Sequence, residues 1–492
     1  MSLLKNRAVG SDPAEQEDRT ESNQLPERVL QFGTGRFAKG FVDYFIHKAN
    51  QQGLFDGRIV CVQSTGSGRA NLLNAQGGRF NIWIRGIEHG ETIDHIETVE
   101  SISRVIPALE QWDLVLQVAR DPSIEIVTMI VSEIGMVLDT GDAIDASPPR
   151  SFGGKLTAVL YERARCFDYA PEAGLVMLPC ELIENNGDLI RHQVLELAQA
   201  WGLEPAFTEW IESANVFCNT LVDRIVTGTP SESDLAAFRS RLGYDDPMVT
   251  VTEPYRLWAI EGDDNLRDRL KFPRVDPGII VTDDIGPFRE RKLRLLNGGH
   301  SLTVPLGILH GNKTVLDNME HPVTGPFIER ILREEIGPTL PVEFSTIEPY
   351  IDEILERWRN KFLDHNLSDI VWQSTTKLRH RVIPTIRRFY EKFGHAPKQI
   401  AEGFAAYLIV TRPEYAIVDD SLEIPRAAWA RAENAGSSSI RSVVDDVCSS
   451  TELWEFDLST LEGFVDEVSA HVEALLQART NVGETVWPLP LS

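Results

Sequence analysis

Apolar residues recur along this chain in two rhythms, and the change between them falls near residue 288. Over residues 28 to 200, short apolar runs alternate with amphipathic stretches. Arg28–Phe32 (RVLQF), Arg58–Gln63 (RIVCVQ), Phe80–Gly86 (FNIWIRG), Ile124–Val131 (IEIVTMIV) and Gly174–Pro179 (GLVMLP) have the length and composition of strands. Their alternation with helical segments predicts a doubly wound α/β sheet. Beyond residue 288 the period is helical: LTVPLGIL, PFIERILREEI, IEPYIDEILERWRNKFL, IAEGFAAYLIV and a last segment from Leu461 to Leu476. The pattern predicts an α/β domain over 27–288 and a mostly α-helical domain over 289–492. A polar, flexible tail over 1–26 precedes them.

A chain of 492 residues exceeds one ordinary core, in keeping with this division. The net charge of −26 argues against nucleic acid and anionic membrane surfaces as partners. It also means that an anionic small molecule needs a local positive pocket. The five cysteines show neither a CxxC nor a metal-ligand spacing, so reduced thiols in a cytoplasmic protein are expected and no metal site is signalled. No apolar run has the length of a signal core or a membrane span.

Three places in the α/β half carry candidate chemistry. After the first strand comes Gly33-Thr34-Gly35-Arg36-Phe37-Ala38 and then a helix, the context of a dinucleotide fingerprint with Ala38 in the third glycine's place. Gly33 would make the tight turn. Gly35 would let a pyrophosphate approach at the helix N-terminus, where Arg36 and Phe37 begin the first turn. The same residues also fit a plain tight turn. The second strand ends in Gln63-Ser64 rather than in the acid that binds a ribose, so Ser64 is a candidate cofactor contact. With Arg69 it could accept a 2′-phosphate, which leaves NAD and NADP both open. Glu133, after the strand Ile124–Val131, sits where a nicotinamide edge would lie, or is a solvated loop acid.

Further along, Asp223 and Arg224 interrupt an apolar segment, as a structural ion pair or as a site carboxylate. The helical half holds one basic run, Lys377 to Arg381 with Arg387 and Arg388, suited either to an anion or to pairing with the many acids. Its opening stretch, RERKLRLLNGGHS (289–301), spaces Lys292, Asn297 and His300 along a helix. At 3.6 residues per turn, Lys292 and His300 fall within about 80° of each other, with Asn297 beyond if the helix survives Gly298-Gly299. An amine, an amide and an imidazole on one wall suit carbonyl and alcohol chemistry. The alternative is a solvated lysine, a Gly-Gly stop and a capping histidine.

Taken together these motifs resemble the mannitol dehydrogenase family of long-chain polyol and sugar-acid dehydrogenases over residues 28 to 480. Lys292-x4-Asn297-x2-His300 matches its signature. QFGTGRF, LPCELIENNG, NTLVDRIVTGTP, EPYRLWAIEG and LNGGHS follow in the order of its sugar-acid branch, whose members reduce tagaturonate to altronate. The resemblance implies a Rossmann-type domain, a helical substrate domain, an interdomain cleft and metal-independent hydride transfer from NAD or NADP. It makes Lys292 the acid/base, Asn297 an oxyanion donor and His300 a substrate-orienting residue, and places Asp223 and Lys377 in the substrate site. Mannitol-type members read Cys-Asp-Asn-x3-Asn-Gly where this chain has Cys180-Glu181-Leu182, and the second oxyanion donor is therefore expected at Asn186. The expected activity is reversible reduction of a keto-hexuronate. A mannitol or fructuronate enzyme of the same family, or a cofactor-binding regulator without turnover, is the alternative. The expected partner is thus a small sugar acid or polyol, and the oligomeric state stays open.

Overall fold

The structure, a computed structural model, describes residues 25–482 apart from 67, 132, 228–229, 364 and 435–439. All but the last two residues of the expected N-terminal tail lie outside the described residues. By its contacts the chain forms two units, one of residues up to Arg85 with Thr92–Ile285, the other of Gly86–Glu91 with Gly286 onward.

The first unit's main sheet consists of β1 (Glu27–Phe32), β2 (Arg58–Gln63), β5 (Ile102–Pro107), β6 (Ile126–Met129), β7 (Val176–Pro179) and β8 (Val216–Phe217); β3 (Phe80–Glu88) and β4 (Glu91–Val99) belong to a second sheet. β1, β2, β6 and β7 follow the apolar runs, β5 and β8 lie outside them, and the run Phe80–Gly86 falls in the second sheet. The main sheet has the order β5-β2-β1-β6-β7-β8 with every neighbouring pair parallel. A parallel sheet is covered on both faces, so its strands are apolar throughout rather than alternating. Val29, Ile59 and Ile126 accordingly enter one core with Phe41 and Phe45. Their neighbours Leu30, Val60 and Val127 enter the other with Leu156 and Val194. The order reverses between β1 and β6, and it is outside the carboxyl ends of strands at such a switch point that open α/β sheets bind ligands.

Apart from β3, the strands of the two small sheets were not legible in the alternation. β9 (Thr220–Asp223), β11 (Leu257–Glu261) and β12 (Ile279–Thr282) form one, with β9 antiparallel and β12 parallel to β11. β10 (Thr250–Thr252) joins β3 and β4 in the other. Helix α1 follows β1 as Arg36–Ala38, continues in π geometry over Lys39–Asp43, and ends as Tyr44–Gln51. Helix α2 (Asn186–Ala200) follows β7.

The second unit is helical. Its first helix, α3, runs through Gly286–Arg291, a π segment Lys292–Gly298 and an α segment Gly299–Leu309. Then come α4 (Phe344–Trp358), α5 (Ser374–Arg381), α6 (Lys398–Val410) and α7 (Phe464–Val482). Phe404–Val410 is buried on every side, as a helix that is apolar all round must be. Among the described residues no helix is long and apolar enough to cross a membrane.

Candidate active site

The glycine pair 298–299 does not stop the helix. Gly298 (φ −67°) and Gly299 (φ −54°) are helical, and the chain passes through them without a break. Gly299 is small because of what packs on it, whereas Gly298 is not crowded. A Cβ on Gly298 would lie 3.4 Å from the Arg381 carbonyl oxygen, and one on Gly299 2.9 Å from Leu332 and 3.0 Å from the Trp358 ring. The π segment also changes the angular reading. In a plain α-helix, Lys292 and Asn297 stand about 140° apart, but i→i+5 hydrogen bonding makes residues five apart successive steps on one side. The spacing Lys-x4-Asn is such an i, i+5 pair. Lys292 is buried, Asn297 half-buried, and the Asn297 carbonyl accepts a 3.0 Å hydrogen bond from Ser301 Oγ.

His300 is 7% exposed and lies between two aromatic partners. Its ring stacks on Trp358 at 4.1 Å and meets His365 edge-on at 5.1 Å. Burial, and after it the positive charge of His365, Arg357, Arg381 and Lys377, pushes His300 well below the usual imidazole range. It is a neutral ring inside a cationic neighbourhood. Lys377 donates to the Ile370 carbonyl at 2.9 Å, and burial together with Arg381 brings it down to about 8 against the opposing charge of Asp419. Trp358, His365 and Arg357 were not singled out in the sequence. A tryptophan and an arginine at a helix end carry no signal until the fold seats them beside His300.

The basic run seen in the sequence is divided by the fold. Arg379 turns away to the Leu453 and Glu452 carbonyls, Arg387 lies 4.8 Å from the Phe456 ring, and Arg388 pairs with Glu290. Lys377 and Arg381, four residues apart, remain on one face of α5. Arg294, in the π segment of α3, donates to the His380 and Arg381 carbonyls at 2.6 and 3.2 Å while Glu290 takes its other nitrogens. Burial would raise Glu290, but the Arg388 and Arg294 hydrogen bonds prevail and hold it below the usual carboxylate range.

In the first unit, Gly33 closes the turn after β1 with φ +116°, and its N–H donates to the Val62 carbonyl at 3.0 Å. A Cβ there would stand 2.4 Å from the Ile130 carbonyl oxygen. Gly35 caps α1 in an extended conformation, and a Cβ on it would meet nothing within 4 Å. Arg36 is exposed at the first helical position, and Phe37 stacks on Phe41 at 4.8 Å. The close-packing glycine is Gly40, whose added Cβ would reach Val226 at 3.0 Å. Beneath the turn Lys39 donates to the Met248 carbonyl, and burial lowers it to about 8. Ser64 is half-buried after β2. Gln63 is fully engaged in shaping that loop, donating to the Thr65 carbonyl and accepting from the Ala70 N–H. Glu133 opens the short 3-10 turn Glu133–Met136 after β6.

Asn186, the expected second oxyanion donor, has partners inside the fold. It is wholly buried at the start of α2. Its amide nitrogen donates to the Glu181 carbonyl and to Thr220 at 3.1 to 3.3 Å, while its oxygen accepts from the Thr220 N–H at 2.9 Å. Through these bonds the side chain joins the start of α2 to β9. Asp223 is the buried last residue of β9, in register with Leu257. Its neighbour Arg224 donates to the Glu253 and Gly40 carbonyls and lies 4.9 Å from the Tyr44 ring.

A doubly wound parallel domain followed by a helical domain that opens on a lysine helix is the build of a two-domain oxidoreductase. The family model of the mannitol dehydrogenase Rossmann domain matches residues 27–274, and that of the mannitol dehydrogenase C-terminal domain matches residues 284–476. The chain belongs to the mannitol dehydrogenase family, and by class it is a polyol or sugar-acid dehydrogenase. It is similar to altronate oxidoreductase of Bacillus subtilis, 35% identical over 451 residues that cover 91% of this chain and 92% of that one. Altronate oxidoreductase of Halalkalibacterium halodurans is 37% identical, covering 93% of each. In fold it is similar to Pseudomonas fluorescens mannitol 2-dehydrogenase in ternary complex with NAD and D-mannitol (TM-score 0.69, 21% identity, 94% of each chain covered). A substrate-free D-sorbitol dehydrogenase superposes with TM-score 0.76 at 22% identity, covering 93% of this chain and 95% of that one.

Proposed function

We propose that this enzyme reversibly reduces the ketone of a keto-hexuronate, of the tagaturonate-to-altronate type, with a nicotinamide dinucleotide. The observation that carries this reading is the π segment of α3, along which Lys292 and Asn297 form an i, i+5 pair, with the neutral imidazole of His300 in the turn that follows. The relatives called altronate oxidoreductase, alike over most of their length, support the substrate class.

Lys292 gives a proton to the substrate oxygen in reduction and, unprotonated, takes it back in oxidation, so the oxidation rate rises with pH. Asn297 donates a hydrogen bond to that oxygen as its negative charge develops. His300, fixed by its stacking on Trp358, orients a substrate hydroxyl. Asp223 and Lys377 contribute to substrate binding, and Asn186 is the second donor to the substrate oxygen. The nicotinamide cofactor, when bound, supplies or accepts the hydride.

The turn after β1 fits such a cofactor. Gly35 leaves its backbone open at the start of α1, where the first N–H groups of a helix favour a phosphate. Gly33, Gly35, Arg36, Phe37, Ser64 and Glu133 are the residues proposed to hold it, as NAD, with NADP as the alternative that Ser64 and Arg69 would serve. The decisive experiment is NADH and NADPH oxidation against tagaturonate, fructuronate and fructose. Turnover confined to tagaturonate supports the reading, and turnover mainly on fructose overturns the sugar-acid assignment.

A further inference from the structure

Of the tryptophans among the described residues, Trp372 alone is exposed, over 54% of its surface. The others are buried or half-buried, as a side chain with so much apolar area ordinarily is. Trp372 follows the short helix Leu367–Val371 and precedes α5. The turn that presents it is closely held. Gln373 has φ +54° and ψ +43°, a left-handed conformation that is costly with a side chain and persists only where the surroundings enforce it. Its N–H donates to the Val418 carbonyl at 2.9 Å, and its side-chain amide donates to Asp420 at 2.8 Å and accepts from the Asp420 N–H at 3.2 Å. Two residues on, the Thr375 N–H and hydroxyl both donate to Asp419, at 2.7 and 2.8 Å. These bonds fix the backbone after Trp372, and none of them uses the indole.

Lys377 stands at the same turn. Its ammonium donates to the Ile370 carbonyl at 2.9 Å, which brings it back from α5 to the chain just before Trp372, and it lies 5.9 Å from the centre of the Trp372 ring. The far end of α5 is held on α3, where Arg294 donates to the His380 and Arg381 carbonyls. An ammonium beside an open aromatic face matches one class of ligand. The C–H bonds of a hydroxylated carbon chain are polarised by its oxygens and settle on the electron-rich face of a ring, while an oxygen at the ring's edge accepts from the ammonium. A purely apolar partner has no group for that ammonium and would bury it at a cost. We infer that Trp372 is a further substrate-binding residue, its indole stacking on the carbon chain of the sugar acid while Lys377 donates to an oxygen at the edge. This rests on the keto-hexuronate reading and deepens it, since it adds an apolar platform to a site otherwise built of polar groups.

The test compares Trp372→Ala and Trp372→Phe with the wild type in the full chain. It measures kcat and KM for tagaturonate, and the tryptophan emission of the cofactor-loaded enzyme as altronate is added. Trp372→Ala should raise KM by about 10-fold and change kcat by less than about 3-fold, because a stacked ring holds ground state and transition state alike. Trp372→Phe keeps an aromatic face and should stay within about 3-fold of the wild-type KM. Altronate should move the wild-type emission to shorter wavelength as the exposed indole leaves water. Trp372→Phe should lose that shift while still turning over. An unchanged KM in Trp372→Ala, or an emission shift that survives Trp372→Phe, overturns the inference. Emission from Trp372 that answers to protein concentration and not to altronate gives the ring to a second copy of the chain, and overturns it too. Should Trp372→Ala fail to fold, the emission of the wild type against Trp372→Phe still decides. A wild-type enzyme that turns over fructose and no hexuronate sinks the substrate reading itself, whereas tagaturonate turnover by Trp372→Ala at the wild-type KM sinks only the role of Trp372.

Discussion

The turn after β1 and the opening of α3 both combine glycines with a π segment, and they use the glycines for opposite reasons. Gly33 is required by its own backbone: a φ of +116° strains any residue with a side chain whatever packs nearby, and the Ile130 carbonyl oxygen, 2.4 Å from an added Cβ, only adds to this. Gly298 and Gly299 have ordinary helical dihedrals that alanine adopts at less cost, and only at Gly299 do tertiary neighbours, Leu332 and Trp358, crowd a side chain. One glycine site is therefore written in the local chain, the other in what the chain folds against.

Substitutions can break this contrast, and the largest effect belongs to the second site. Lys292→Ala should lower kcat by about 1,000-fold while cofactor affinity, measured by fluorescence titration, stays within a few-fold. Retained turnover would remove Lys292 as the acid/base. Asn297→Ala should lower kcat by about 100-fold with a smaller change in KM, because the amide acts on charge that appears in the transition state. A loss confined to KM would make it a binding group instead.

In the first unit, Gly33→Ala should cost about 2 kcal/mol or more of stability and weaken cofactor binding with it. Gly35→Ala, with open space around it, should leave the unfolding midpoint nearly unchanged while raising the cofactor Kd by about 10-fold. If both variants lose stability equally, the open face at Gly35 is not a ligand's place.

The smallest effect is a pH dependence. His300 is neutral in the folded chain and titrates near 6.5 when unfolded, so the unfolded state alone gains a proton as pH falls below about 6.5. Its contribution to stability is complete above that pH and is lost progressively below it, by up to about 1.4 kcal/mol at pH 5.5. His300→Asn should accordingly show a shallower fall in urea-unfolding midpoint between pH 7.5 and 5.5. Identical slopes would mean that His300 does not carry this term.

Much of the fold was legible because buried parallel strands are apolar runs bounded by turns, as RVLQF, RIVCVQ and GLVMLP are. The small sheets built on β9 to β12 were not, because segments of three to five residues give too little pattern to separate strand from loop. At the site, Lys292, Asn297 and His300 stood out by residue type and spacing. Their relative directions did not, because no periodicity marks a π turn and an angle computed for an α-helix misplaces Asn297. The surroundings of Asn186 were hidden for a related reason. An asparagine's type shows that it can donate, but only the neighbouring Thr220 and the Glu181 carbonyl show that it already does. The basic run likewise looked like one feature and proved to be several, since alternate residues of α5 face different neighbours.

The π segment has a consequence for insertions and deletions. Its seven residues, Lys292–Gly298, hold the extra length that an ordinary α-helix would not need. Deleting Leu293 would let the helix close into α geometry without breaking it and would leave the segments on either side near their present register, because the π turn is what absorbs the extra residue. Lys292 and Asn297 would become an i, i+4 pair, still on one face. The same deletion inside Gly299–Leu309 meets no such slack and would turn everything beyond it by about 100°. The helix thus has a reading frame, with one place along it where a residue can be lost without shifting the frame.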